Sequence, residues 1–431
     1  MKKLIKKAIN IYKNQGGLML AKKGKRFVIY HLKKLPFSHW IKTSNKDLRK
    51  EYEYISNPIF QIDENDIKKS KKTISVKLPK KIRTANWFVP NFDHIKFGGI
   101  YTIFRFIEKF SVEGINNRII IYDNPSFNVN SLKKQIADNF KDLHNYEIVI
   151  FDMNNEGIDS LPSCDLSFCT FWTSAYILLK FNKTRRKYYF IQDYEPLFYP
   201  GGSTYALAES TYRFGFRALV NTPGLLAAVN SRHGMEGISF IPAVDQKLYY
   251  PDKSFKKDDK VRIFFYARPH NPRNAFNLGI LIIKRLKQKY GDKIEIVTAG
   301  ANWNEDEYGL KGKIVNYGLL GGLEEVANLY RKCDIGFVYM LSKHPSYQPF
   351  EFMASGMATV TNNNEDNLWM LKDGKNCLLG EPSPADMANK ISILIDDKTL
   401  REKIARNGLK TIVRYTWSQQ TDMIWNDIRN S

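Results

Sequence analysis

Residues 334–361 read DIGFVYMLSKHPSYQPFEFMASGMATVT. The segment 334–339 is a short apolar run of strand length, and 358–361 (ATVT) is a second one. Between them a Pro345-Ser346 turn feeds a short helix beginning near Glu351. Strand, turn, helix and strand in one short stretch is the unit from which parallel sheets are built, because parallel neighbours need a crossover connection.

The same alternation extends outward in both directions. Upstream in this half, strands are expected at 261–267, 294–299 and 313–317, with helical periodicity at 273–289 and 322–332; downstream, a strand is expected at 376–379. Before a Pro-, Asp- and Lys-rich break after 241, a first series runs through 84–89, 118–122, 146–152, 165–171, 187–192, 217–221 and 237–241. Two series of apolar strands separated by helices predict two parallel-sheet α/β domains. Ligands of such folds bind beyond the carboxyl ends of the strands, so facing domains predict a shared cleft. The expected boundaries are 1–80 for a basic amphipathic arm and linker, 81–248 and 249–415 for the two domains, and 416–431 for a helix crossing back. Within the first of these, 43–80 reads as a polar linker or irregular lead-in.

The chain has 431 residues, 43% hydrophobic and 13% aromatic, which excludes a mostly disordered protein. Its net charge is +22, of which residues 1–50, with 15 Lys/Arg and the single acid Asp47, hold +14. Leu4, Ile5, Ala8, Ile9 and Tyr12 share one helical face among lysines, a pattern that suits an anionic membrane surface. A solvated helix packed on its own domain and a nucleic-acid-binding stripe are the alternatives, and no nucleic-acid-binding signature supports the latter. No apolar run reaches the length of a membrane span. Four scattered cysteines fit reduced thiols, so the expected location is the cytoplasm, with peripheral attachment to the inner face of the membrane.

Four segments at strand ends could carry chemistry. After the first strand, His94 precedes Gly98-Gly99, paired glycines that let backbone amides approach an anion at a helix start. Arg268 and Arg273 follow strand 261–267, and guanidinium forks suit a diphosphate. Pro345, Ser346, Tyr347 and Glu351 follow strand 334–339, where a carboxylate could accept the hydroxyls of a ribose. Gln192, Asp193, Glu195 and Tyr199 follow strand 187–192, pairing carboxylates with aromatics as carbohydrate sites do. For each, a plain turn or cap is the competing reading. Seven scattered histidines and the lack of any Asp-x-Asp predict no metal and no cofactor.

Together these segments resemble glycosyltransferase family 4, of the GT-B fold, over roughly residues 84–425. Ile241-Pro242-Ala243-Val244-Asp245, Asn316-Tyr317-Gly318 with Leu329-Tyr330, and Pro345-Ser346 through Gly356 resemble its motifs. QDYEPLFYPGGSTYALAESTYRFGF, ARPHNPRN and HPSYQPFEFMASG most resemble rhamnosyltransferases of the WsaF type. The resemblance implies a retaining, metal-independent enzyme moving L-rhamnose from dTDP-rhamnose to a growing surface glycan, with a glycan or polyprenyl-linked glycan as acceptor partner and no nucleic acid. An oligomer is compatible with it. The same fold with a UDP- or GDP-hexose, or a catalytically silent glycan-binding scaffold, are the alternatives. By this resemblance Gly98, Gly99, Arg268 and Glu351 bind donor, with Arg273 near the family's usual Lys; Pro345, Ser346 and Tyr347 are expected beside them, Asp193, Glu195 and Arg268 are expected to be catalytic, and His94, Gln192 and Tyr199 are expected to bind acceptor. Three departures stand out: Lys343 replaces the family's first Glu, Gln192-Asp193 replaces a frequent His-Asp, and Arg273 replaces Lys.

Overall fold

A computed structural model describes residues 45–96, 98–153, 155–252, 259–344 and 346–430. It divides into two compact units between Gln61 and Ile62. In the first, the described residues form the helix Asn45–Ile55 and the single turn Pro58–Phe60. Residues 1–44, which carry the amphipathic face expected to seek membrane, lie outside the described residues.

The second unit holds both sheets. The first has seven strands: β1 (Thr84–Val89), β2 (Asn116–Ile121), β3 (Tyr146–Ile150), β4 (Leu166–Cys169), β5 (Arg186–Ile191), β6 (Arg217–Asn221) and β7 (Gly237–Phe240), in the order β3-β2-β1-β4-β5-β6-β7. The second has six: β8 (Val261–Ala267), β9 (Ile294–Gly300), β10 (Val315–Asn316), β11 (Ile335–Val338), β12 (Ala358–Asn362) and β13 (Leu378–Gly380), in the order β10-β9-β8-β11-β12-β13. The strand pairings within them are parallel. All thirteen expected strands are present, and this is the two-sheet arrangement of the GT-B fold.

β4, β11 and β12 are buried at every position, as strands covered by helices on both faces must be. Under the first sheet, Trp87 stacks on Phe168 with ring centroids 3.9 Å apart and meets Phe110 edge-on at 5.3 Å. The chain reverses its direction of travel across each sheet between β1 and β4, and again between β8 and β11. These are the switch points at which connections leave to opposite sides and open a crevice.

The final helix, Trp417–Asn430, packs on β7 and on the helix Gly98–Val112, both in the first domain. Ile424, Trp425 and Ile428 enter that domain's core. Arg217 grips Asp427 at 2.7 Å, and the Ile241 amide donates to Gln420 Oε1 at 2.8 Å.

Residues 43–80 differ from the linker expected there, because they hold two helices, Asn45–Ile55 and Glu64–Ile74. The second is set by its ends rather than by an apolar stripe. Asp63 accepts from the Asn65 and Asp66 amides while Asp66 accepts from the Asp63 amide, a reciprocal cap. Its Ser70 hydroxyl accepts from the buried Lys187 ammonium at 3.0 Å. Burial pulls that lysine down to about 7. The short helix expected near Glu351 starts at Gln348, with Pro349 in its first turn, where a missing N–H costs nothing.

Candidate functional site

Both switch points open onto one cavity of ≈ 380 Å³ between the two sheets. The helix that follows β1 supplies Gly98, Tyr101 and Thr102; the turn after β8 supplies Arg268; the loop and helix after β11 supply Ser346, Tyr347 and Glu351. Trp417 closes one side from the last helix. Five of the residues singled out in the sequence therefore meet here: Gly98, Arg268, Ser346, Tyr347 and Glu351.

Local backbone explains how the loops reach the cavity. Gly98 opens its helix at φ +54, in the left-handed region that a side chain disfavours. Ser346 sits at φ +60 without being glycine. Two contacts hold it there: its amide donates to His344 Nδ1 at 2.9 Å, and its hydroxyl bonds Gln348 Oε1 at 2.5 Å.

The cavity is cationic at one edge and acidic within. Arg268 is exposed, its Nη1 donating to the Tyr266 hydroxyl at 3.4 Å. Glu351 is pushed up to about 7 by burial, against which the neighbouring Tyr249 and Tyr330 phenols pull it down. Neither tyrosine had been singled out as a site residue. Tyr330 was legible as part of a family motif, but its approach to Glu351 is a tertiary fact.

The remaining predicted residues stand elsewhere. Gly99 lies beside the cavity, its carbonyl accepting from Gln192 Nε2 at 2.9 Å, and a Cβ at Gly99 would come 2.7 Å from that nitrogen. Arg273 does not line the cavity: its guanidinium pairs with Asp193 and lies 3.9 Å from the Phe198 ring centroid. Asp193 also accepts from the Tyr194 amide at 2.8 Å, and burial raises its carboxyl while Arg273 opposes the rise. Glu195 is turned into the first domain, 3% exposed, accepting from the Trp172 amide (2.6 Å) and the Tyr189 hydroxyl (2.9 Å). Burial pushes it up to about 8. Both bonds are made inside the first domain and end on one carboxylate oxygen, and Glu195, expected to be catalytic, is outside the cavity lining. Tyr199 accepts from Trp172 Nε1 at 2.9 Å, and His94 is exposed outside the cavity lining. Pro345 lies outside the described residues. Lys343, at the position of the family's first acid, pairs with Asp366 at 2.5 Å. Among the described residues, no group of three His, Cys, Asp or Glu is placed to hold a metal, and no helix is long and apolar enough to cross a membrane.

Comparison with known proteins decides the family. The WsaF N-terminal domain matches residues 85–222 and the WsaF C-terminal domain matches residues 261–392. The chain belongs to the WsaF family. Another protein similar to it, the O-antigen biosynthesis protein RfbC of Myxococcus xanthus, is 39% identical over 352 residues, 81% of this chain. The chain spans about a quarter of that relative's length, since the match covers 27% of it. Among solved structures, Anabaena HepE in complex with UDP and glucose superimposes with a TM-score of 0.63 at 13% identity, covering 81% of this chain and 99% of HepE. Sucrose-phosphate synthase from Thermosynechococcus elongatus gives 0.61 at 12% identity, covering 81% and 98%. At these identities the likeness establishes the GT-B fold of this WsaF family member. The two matched domains contribute the β1 and β11 sides of the cavity, and Trp417 lies beyond both matched segments.

Proposed function

We propose that the chain is a retaining glycosyltransferase of surface polysaccharide synthesis, moving L-rhamnose from dTDP-rhamnose to a glycan acceptor. The observation that carries this reading is the cavity that Arg268, the left-handed Ser346 loop and Glu351 line together. That combination suits a nucleoside diphosphate, cation and amides toward phosphate, carboxylate toward sugar hydroxyls. RfbC's name, O-antigen biosynthesis protein, supports the polysaccharide context.

In the reaction the anomeric C–O bond breaks and its electron pair stays on the diphosphate. The acceptor oxygen bonds the anomeric carbon, and its proton passes to the departing phosphate oxygen on the same face. Arg268 offsets the charge that builds on the leaving group, with no metal or cofactor required. Asp193 orients the acceptor hydroxyl from the first domain. The test is calorimetric titration with dTDP, UDP and GDP: selective dTDP binding supports the donor, whereas UDP or GDP selectivity replaces the sugar. Binding of none of the three would leave a silent scaffold. Product NMR settles retention by the anomeric configuration of the new linkage.

Glu351 gives the donor site a pH dependence. Its raised carboxyl ionises near pH 7, and the ionised form is the stronger acceptor for the deoxyribose hydroxyl, so affinity should rise about tenfold between pH 6 and 8. The sign for stability is opposite. A carboxyl raised on folding contributes stability that is fully present below its ordinary value and is lost as pH rises through about 7. Glu351→Gln should flatten both trends; a wild-type affinity independent of pH would remove the role of Glu351 at the deoxyribose.

The basic arm completes the reading as a membrane tether for an enzyme whose acceptor rides on a polyprenyl lipid. Deleting residues 1–40 should abolish binding to vesicles containing anionic lipid while sparing transfer to a soluble acceptor mimic. Unchanged vesicle binding would dismiss the tether.

A further inference from the structure

The Tyr347 hydroxyl belongs to the loop after β11 in the second domain, yet its partners are in the first. It bonds Thr102 Oγ1 at 2.7 Å and accepts from Asn221 Nδ2 at 3.3 Å. With the asparagine donating, the phenolic proton goes to Thr102. Thr102 lies in the helix that opens at Gly98, and Asn221 ends β6. One oxygen thus ties two carboxyl-edge elements of the first sheet to the loop that holds Ser346 at φ +60.

The ring itself is held separately, lying nearly parallel to Trp417 (25°) with centroids 6.4 Å apart. Removing the hydroxyl therefore leaves the aromatic packing in place. Two further contacts bring the domains together at other points. Arg273 pairs with Asp193. The helix starting at Pro223 passes so close to the segment 365–369 that a Cβ on Gly224 would lie 1.8 Å from the Asp366 carbonyl oxygen. The facing position of the domains is thus written into the chain by a glycine with no room for a side chain and by a hydroxyl with partners on the far side.

We propose that Tyr347 is a positioning residue, whose hydroxyl latches the two domains in the closed arrangement. This rests on the glycosyltransferase reading for its kinetic consequence but not for the latch. Arg268 and Glu351 both come from the second domain, so a nucleotide can bind there with the latch open. Transfer, which also needs Asp193 of the first domain, cannot proceed until it shuts.

The experiment compares wild type, Tyr347→Phe, Thr102→Val and the double variant, with Gly224→Val as a control that forces the domains apart. Small-angle scattering without nucleotide should show Tyr347→Phe and Thr102→Val expanded toward the Gly224→Val profile. With dTDP-rhamnose, each single variant should lose about tenfold in kcat, while dTDP affinity stays within twofold. The double variant should be no slower than the slower single one, because both changes remove the same bond. Scattering from Tyr347→Phe identical to wild type would overturn the latch, whatever the enzyme's substrate. Equal losses of dTDP affinity and kcat, or multiplicative losses in the double variant, would overturn the positioning role. Failure of the wild type to bind any nucleotide would instead strike the proposed function, leaving the scattering result to decide the latch.

Discussion

Arg268→Ala is expected to slow sugar transfer by about 10²–10³, some ~3 kcal/mol of transition-state stabilisation, as for other donors aimed at developing oxyanion charge. The guanidinium follows β8 at a switch point and lines the cavity, and among the described residues no carboxylate pairs with it. Its charge is free for phosphate. Arg273 provides the contrast. Although only five residues farther along the same turn, it is engaged with Asp193 and stands outside the cavity lining. Arg273→Ala should therefore leave dTDP affinity within about twofold, its effect falling on acceptor-side steps that need Asp193 in register. Calorimetry with dTDP and initial rates with dTDP-rhamnose separate the two arginines. Full activity in Arg268→Ala would remove the diphosphate role, and a collapse of dTDP binding in Arg273→Ala would return that arginine to the donor.

Trp425→Ala is expected to destabilise the first domain by about 3–5 kcal/mol, the range for emptying a buried aromatic site. Trp425 is 5% exposed and sits edge-on to Phe110 with centroids 5.0 Å apart, in a core that also takes Ile424 and Ile428 from the same helix. Phe110 in turn packs on Trp87 at the centre of the sheet, so the cavity has no neighbouring shell into which it collapses easily. Denaturant unfolding followed by tryptophan emission gives the value. A loss below about 1 kcal/mol would make the last helix an accessory to the domain rather than part of its core.

Strand positions were legible because both faces of a parallel strand are buried, so β11 (IGFV) has no polar side chain and β8 carries the apolar run IFFYA after Arg262. The helix Glu64–Ile74 was not, because its sequence is almost wholly polar. It is held by a reciprocal cap at Asp63 and by a buried lysine more than a hundred residues away, neither of which leaves a periodic trace. In the site the division is similar. Gly98, Arg268, Ser346, Tyr347 and Glu351 follow directly from strand ends, and strand ends are what patterning locates best. Asp193 and Glu195 belong to one short segment whose side chains diverge, the first toward Arg273 and the second into the domain beneath the helix Trp172–Lys180. Spacing in the sequence carries no information on that divergence.

By itself, then, the sequence determined the two parallel sheets, the loops that face the cleft and the resemblance to the WsaF family, since each depends on local apolar runs and on short motifs read within one element. Only the tertiary structure decided which side chains share a cavity, that Arg273 pairs across the domains, that Tyr347 reaches Thr102 and Asn221, and that a helix from the very end of the chain completes the first core. Those are contacts between residues far apart in the chain. They depend on how two sheets are set against each other, and nothing in the order of residues along either sheet specifies that distance.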